Sequence, residues 1–342
     1  MSRRALITGI TGQDGAYLAR LLIARGYTVA GTYRPTSSLN LWRLQALGLV
    51  DHPQLRLCEH ELTDFSGALG LLDQTQPDEV YNLAAQSFVG LSFKQPVTTA
   101  QVTGIGPLVL LEAIRMRSPS TRFYQASSSE MFGGSAAQAI DEQTPLAPRS
   151  PYATAKCFAH WSTLNYREAY GLYAVSGILF NHESPLRSKD FLTRKVSDGV
   201  ARIRLGKGAP LRLGNLSAER DWGYAPEYVD GIWRMLQANQ PDTYVLATGR
   251  CHSVREFVSQ CFAAAELPLV WSGSGVDEIG RDLHTGELRV SVDPALYRPA
   301  DLGRVLGDPT RAAQRLGWRA QTGIEGLCQH MLKADLERVA RE

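Results

Sequence analysis

The sequence predicts an α/β chain built on a doubly wound parallel sheet, and three observations predict it. Strand-like and helix-like stretches alternate as far as residue 180. A Gly-x-x-Gly-x-x-Gly turn joins the first strand to the first helix, and a Tyr-x-x-x-Lys pair follows the fifth strand. Regular alternation then fades, so residues 181–342 are expected to form mainly a smaller α/β lobe, with segments returning to the domain of residues 1–180.

Arg4 to Thr8 is a short buried-strand pattern, and Tyr17 to Ala24 is an apolar-periodic helix. Between them Gly9, Thr11, Gly12, Gln13, Asp14 and Gly15 form a turn in the strand–turn–helix context that marks dinucleotide binding. Glycine lets the backbone approach a pyrophosphate, which the positive helix N-terminus attracts. The second strand, Thr28 to Thr32, ends in Tyr33-Arg34-Pro35-Thr36-Ser37-Ser38. An acidic residue here would bind the ribose 2′-hydroxyl of NAD. Arg34 with the Ser37 hydroxyl instead suits a 2′-phosphate, which favours NADP; an exposed arginine with no ligand is the alternative.

Leu55 to Cys58 reads as the third strand, with Glu61 and Leu62 just beyond its end, and Phe65 to Gln74 as a helix. Glu79 to Ala85 is the fourth strand, and the small residues closing it (Leu83-Ala84-Ala85) let a cofactor lie close. Val97 to Met116 is a long helix and Thr121 to Ser127 the fifth strand. Ligands of such a sheet bind at the carboxyl ends of its strands, where Gly12, Glu61, Ala84 and Ser128 fall.

The chemistry-bearing stretch runs from Ser127 to Lys156. Tyr152 and Lys156 lie four residues apart, on one face of a helix. There an ammonium stabilises a phenolate and turns a weak acid into a usable base near neutral pH. Ser128 can set a hydroxyl beside that phenol. Glu130 adds a carboxylate that a simple dehydrogenase does not require. An amphipathic helix with a solvated lysine would explain Tyr-x-x-x-Lys alone, but not the glycine turn, the strand-end serines and Glu130 together.

A sixth strand, Ala174 to Phe180, leads into Asn181-His182-Glu183-Ser184-Pro185-Leu186-Arg187. Beyond it, short strands (Leu211 to Asn215, Arg220 to Gly223) mix with helices (Tyr228 to Gln237, Val254 to Ala264), and Gly273 to Leu288 is expected to be a mobile or irregular loop.

Composition sets the remaining expectations. With 44% hydrophobic residues, 20% charged residues and a net charge of +2, there is no global case for nucleic-acid or membrane binding. No apolar run is expected to approach the ~18 residues of a membrane span, and Ser2-Arg3-Arg4 leads straight into a strand rather than a signal peptide. The 5 cysteines are odd in number and lack Cys-x-x-Cys spacing, which points to a reduced, cytoplasmic protein without structural metal. Cys157 reads as a small packing residue.

Several longer motifs narrow the reading: Arg122 to Glu130 (RFYQASSSE), Arg149 to Tyr152, Asn165 to Glu168, Gly177 to Pro185, Thr193 to Lys195, Arg220 to Gly223, Arg298 to Ala300 and Gly307 to Thr310. With these, the chain resembles the GDP-mannose 4,6-dehydratase family of extended short-chain dehydrogenases/reductases almost end to end. The resemblance implies a Rossmann fold, NADP, and conversion of GDP-mannose to GDP-4-keto-6-deoxymannose with loss of water. It implies Ser128, Glu130, Tyr152 and Lys156 as catalytic residues. Gln86, Ser87, His182 and Arg187 would then join the cofactor contacts. Asn181, Lys195, Arg220, Arg298 and Asp301, with Ser87, Ser128 and Glu130, would meet the GDP-sugar. Departures from the family pattern are Ser128 for threonine, Glu61 for aspartate, His60 for glycine, Pro35 for a second arginine and Asp301 for glutamate. Dehydration of another GDP-sugar, such as a GDP-manno-heptose, a reductase, and an NADP(H)-sensing binding protein are the competing readings. The resemblance further implies a homo-oligomer, a tetramer of two dimers, with Arg34 to Arg43 and Trp42 at a subunit contact; Trp42 packed on its own domain is the alternative there.

Overall fold

The structure is a computed structural model and describes residues 2–36, 38–296 and 305–342. Contacts divide the chain into two compact units: Met1–Phe180, Ala225–Leu246 and Gly307–Arg319 form one, and Asn181–Tyr224, Ala247–Leu306 and Ala320–Glu342 the other.

The first unit is built on a seven-stranded sheet that is parallel throughout. Its first six strands are β1 (Arg4–Thr8), β2 (Thr28–Tyr33), β3 (Leu55–Glu59), β4 (Glu79–Asn82), β5 (Arg122–Ser128) and β6 (Ala174–Leu179). A seventh, Thr243–Leu246, adds beside β6 and gives the order Thr243–Leu246, β6, β5, β4, β1, β2, β3. Strand order reverses between β1 and β4, so their carboxyl ends open the crevice in which such sheets bind ligands. The doubly wound sheet expected from the alternation is the one observed. Leu6, Val80, Phe123 and Ala174 from the strands are buried against Leu71, Leu72, Leu110, Leu111 and Ile114 from two helices. Each fully buried leucine there contributes about 1.5–3 kcal/mol.

One of those helices is unusually apolar for its length. Pro96–Arg117 runs for 22 residues and holds an 18-residue window of mean hydropathy 1.4, long and apolar enough to cross a membrane by length and composition. Half of that window is buried inside the protein, and the helix packs on the helices Phe65–Thr75 and Pro151–Tyr170. A π-helical segment, Ala100–Ile105, interrupts it, so its apolar residues do not keep a simple helical period.

In the second unit the helices Leu192–Arg204, Val254–Ala264 and Ile324–Ala340 pack through Val196, Val200, Phe257, Phe262, Leu327 and Met331. They accompany a four-stranded sheet ordered Leu269–Ser272, Ile279–Asp282, Leu288–Val292, Leu211–Leu213. This sheet overturns the expectation of an irregular loop from Gly273 to Leu288. Ile279–Asp282 pairs antiparallel with strands on both sides. Asp282 closes the turn by accepting from the backbone of His284 and Thr285, both at 3.0 Å. The charge that made the stretch read as loop is used inside it: Glu278 is buried against Arg255, and Arg289 lies 3.3 Å from Asp282.

Candidate active site

Tyr152 and Lys156 occupy the start of the helix Pro151–Tyr170, whose N-terminus is fixed by Pro151 in the first turn and by Ser150, which accepts from the Ala153 amide at 3.1 Å. Lys156 is buried, and its Nζ donates to the Ala126 carbonyl at 2.7 Å. That bond ties the helix to the carboxyl end of β5. The same Nζ stands 5.7 Å from the Tyr152 ring centroid, and Tyr152 is itself buried. Burial pushes the Lys156 ammonium down to about 8, partly opposed by the charge of Asp14. At neutral pH it remains mostly a cation beside the phenol, the state needed to stabilise a phenolate.

Ser128 ends β5, and its Oγ accepts from the Glu130 amide at 3.2 Å. The hydroxyl proton is then available to an incoming oxygen. Glu130 lies in the short 3-10 turn Ser129–Phe132; its neighbours Ser129, Met131 and Phe132 are buried while Glu130 is only partly so. Sequence reasoning missed what lies behind this set. Ser127 Oγ meets Ser176 Oγ at 2.8 Å, and Ser176 Oγ meets His160 Nδ1 at 2.8 Å, all three residues being buried. His160 follows Lys156 by one further helical turn, so the Tyr152–Lys156 spacing extended by four residues was the available signal.

The glycine turn has the shape a dinucleotide requires. Gly9 has φ +73°, and a Cβ on it would stand 2.9 Å from the Ala84 Cα. A Cβ on Gly15 would stand 2.4 Å from the Gly9 carbonyl oxygen. Both obstacles are backbone, so only glycine fits, and the strand ends stay close enough for a pyrophosphate to lie on the turn. A cavity of about 450 Å³ opens there, lined by Gly9, Thr11, Gly12, Arg34, Glu61, Leu62, Leu83, Ala84, Ala85, Gln86 and Ser87, with His60 and Tyr33 between them. Gln13, Asp14 and Gly15 form the first turn of the following helix, where Gln13 Nε2 donates to Asp14 Oδ1 at 3.1 Å. Arg34 is exposed and meets no acidic partner among the described residues. Arg43, not anticipated from the sequence, donates to the Thr11 carbonyl at 3.0 Å while its guanidinium lies 4.6 Å from the Trp42 ring centre. Trp42 itself is half-buried.

Ser37, Arg298 and Asp301 lie outside the described residues. Asn181, His182, Arg187, Lys195 and Arg220 belong to the second unit. Asn181 opens a strand paired with Trp222–Tyr224, and His182 is buried. Lys195 is exposed and donates to the Arg212 carbonyl at 2.8 Å. Arg220 pairs through its backbone with His252 and Val305. No group of three or more metal-ligating side chains occurs among the described residues. All five cysteines are free, and burial pushes the Cys157 thiol up to about 11, well away from reactivity.

Residues 6–331 match the family model described as GDP-mannose 4,6 dehydratase. The chain is 50% identical to the GDP-mannose 4,6-dehydratase of Sinorhizobium fredii (strain HH103) over 337 residues, covering 97% of this chain and 96% of that protein. It is 46% identical to the GDP-mannose 4,6 dehydratase of Homo sapiens, over 97% of this chain and 91% of that one. Among solved structures, RMD from Pseudomonas aeruginosa complexed with NADPH has the same fold, with a TM-score of 0.77 at 24% identity, over 98% of this chain and 100% of that one. With Ser128, Glu130, Tyr152 and Lys156 on the frame described above and the match running nearly end to end, the chain belongs to the GDP-mannose 4,6-dehydratase family.

Proposed function

We propose that the chain is an NADP-dependent GDP-mannose 4,6-dehydratase, a hydro-lyase that converts GDP-D-mannose to GDP-4-keto-6-deoxy-D-mannose. The observation that carries this reading is the family match, together with the catalytic four on one strand end, the turn that follows it and one helix. The glycine cradle and its cavity fit a dinucleotide, and Arg34 in the cavity lining, without an acidic partner among the described residues, favours one with a 2′-phosphate. When bound, the nicotinamide would supply reversible hydride chemistry between C4 and C6 of the sugar. Tyr152, its phenolate stabilised by Lys156, accepts the O4 proton while Ser128 hydrogen-bonds O4. The ketone at C4 acidifies H5, which Glu130 removes and passes to the departing 6-hydroxyl, so that water leaves. Tyr152 then gives its proton to C5, and atoms balance with no net use of cofactor. Gln86 and Ser87, which line the cavity, would also hold the cofactor, with Arg187 and His182 serving it and Asn181, Lys195, Arg220, Arg298 and Asp301 the GDP-sugar.

The chain would work as a homo-oligomer, a tetramer of two dimers with Arg34–Arg43 at a contact beside the cofactor. Phe93, Val97, Ile105, Phe158 and Trp161 are each 42–69% exposed and supply an apolar surface for a second copy to cover. Incubating the purified protein with GDP-mannose and a trace of NADP+ tests the activity. The expected product has lost one water without any added reductant; a product of unchanged mass, or a requirement for stoichiometric NADPH, would refute it.

A further inference from the structure

A row of buried polar side chains crosses the first unit where its strands end. Thr8 closes β1, Asn82 closes β4, Gln125 lies on β5 and Lys156 on the helix Pro151–Tyr170, each at most 4% exposed. Thr8 Oγ1 accepts from the Ala84 amide at 3.2 Å and donates to Asn82 Oδ1 at 2.5 Å. Asn82 Nδ2 donates to Gln125 Oε1 at 2.8 Å, and Gln125 Nε2 donates to the Ala126 carbonyl at 2.9 Å. Lys156 Nζ donates to that same carbonyl at 2.7 Å. From Ala84 onward every donor points along the row toward Ala126, so the bonds polarise one another and end on the oxygen that anchors the ammonium.

Stability alone does not ask for this row, because apolar groups of the same shape would fill the space without polar atoms to satisfy. What the amides can do, and apolar groups cannot, is fix an oxygen. The β4–β5 ladder ends at Asn82 opposite Gln125, one residue before Ala126, so beyond that point β4 contributes no backbone pairing. The two side-chain amides carry the connection one step further. A carbonyl oxygen has two lone pairs; Gln125 engages it from one direction and Lys156 from another, which leaves the ammonium one place to sit.

We propose that Gln125, backed by Asn82 and Thr8, is a positioning residue for Lys156: it holds the Ala126 carbonyl so that the ammonium stays beside the Tyr152 phenol. The inference deepens the mechanism above and rests on its reading of Tyr152 as the base and Lys156 as its cation. Gln125 acts through the Ala126 carbonyl rather than on the sugar. Without it, carbonyl and ammonium gain freedom, the phenolate loses part of its stabilisation, and Tyr152 ionises at higher pH. Asp14, on the helix Gln13–Ala24, is the charge acting on the same ammonium, and it is left in place by any change at Gln125.

The test is the pH profile of kcat/KM for GDP-mannose dehydration by the full chain at saturating NADP+, comparing the parent with Gln125→Met, which keeps the side chain's length without its donor or acceptor. The acid limb should move up by about half a pH unit or more, so that the rate below the limb is about threefold lower or worse while the plateau above it stays close to the parent's. Tyrosinate absorbance, taken as the difference from the matching Tyr152→Phe protein, should show the same displacement without substrate. In a Lys156→Met background, Gln125→Met should move the limb no further. A uniform loss at every pH with the limb in place would show general damage and overturn the proposal, as would a further shift without Lys156, a limb moved to lower pH, or an unchanged profile when Lys156→Met is strongly impaired. An unimpaired Lys156→Met would instead remove the reading of the catalytic pair, and the proposal with it. If Gln125→Met does not fold, the nearly isosteric Asn82→Leu, which leaves Gln125 present but unsupported, enters the same measurements with a shift in the same direction.

Discussion

His160 offers the most quantitative consequence of the site's construction. It lies inside the first unit with Nδ1 on Ser176, and burial pushes its pKa down to about 4, with the charge of Arg167 acting in the same direction. In the unfolded chain the same imidazole titrates near 6.5. The folded state therefore binds fewer protons than the unfolded state between those two values, and stability falls as pH is lowered through that window. Above about pH 7 the histidine is neutral in both states and costs nothing. By pH 5 the difference amounts to about 2 kcal/mol, and below pH 4 it levels off near about 3 kcal/mol. His160→Asn removes the titration while keeping a polar group in the Nδ1 position, so Ser176 and Ser127 keep a partner. Denaturant midpoints of the cofactor-free protein, measured from pH 7.5 to 4.5 for parent and variant, isolate the histidine from carboxylates common to both. The parent should lose about 2 kcal/mol more than the variant between pH 7 and pH 5. Parallel curves would refute the reasoning, because they would mean that His160 reaches water or a carboxylate when protonated.

Further outcomes are expected at the site. Glu130→Gln should abolish dehydration with NADP+ affinity nearly intact, and Tyr152→Phe should lower turnover ~10²-fold or more; both are read from product formation beside a binding titration. Near-full turnover in either would remove that residue from the chemistry. Arg34→Ala should weaken NADP+ by roughly ten- to a hundredfold and leave NAD+ almost unchanged, and equal calorimetric losses for both would mean that Arg34 does not meet the 2′-phosphate. Light scattering during gel filtration should show an assembly larger than one chain at micromolar concentration, and a monomer with and without NADP+ would contradict the proposed oligomer.

What the sequence made legible was short-range. Tyr152 and Lys156 share a helix face, and Gly9, Gly12 and Gly15 share one turn, so spacing alone announces them. Conversely, the stretch from Gly273 to Leu288 misled because glycine and charge are local signals of loop. Its order comes from pairing on both sides, with Leu269–Ser272 and Leu288–Val292, and from the Arg255–Glu278 pair. The helix Pro96–Arg117 does not read as one long apolar run because Thr, Gln and Gly residues punctuate it, while the mean hydropathy of 1.4 over an 18-residue window within it reflects its Leu, Val and Ile residues. Trp42 and Arg43 gave no periodic signal, since what they do is reach across to the carbonyl of Thr11.

The residues that hold the chemistry in place were the least legible, for a physical reason. Catalysis requires a few groups to be fixed against their own rotamer freedom, and fixing them falls to partners remote in sequence. Lys156 is steered by a backbone carbonyl 30 residues earlier. The serine before Ser128 is held through Ser176, 49 residues on. Asp335 braces the Pro185–Arg187 backbone through Arg194, 141 residues away. In the last two cases the partners are a buried serine, histidine, arginine or aspartate, and a buried polar side chain persists only when it is satisfied. Isolated polar residues within apolar stretches, such as Ser176 in β6, His160 on the buried face of its helix and Asp335 in the last helix, are therefore where the supports of an active site should be sought. They record a bond whose other end the sequence places far away.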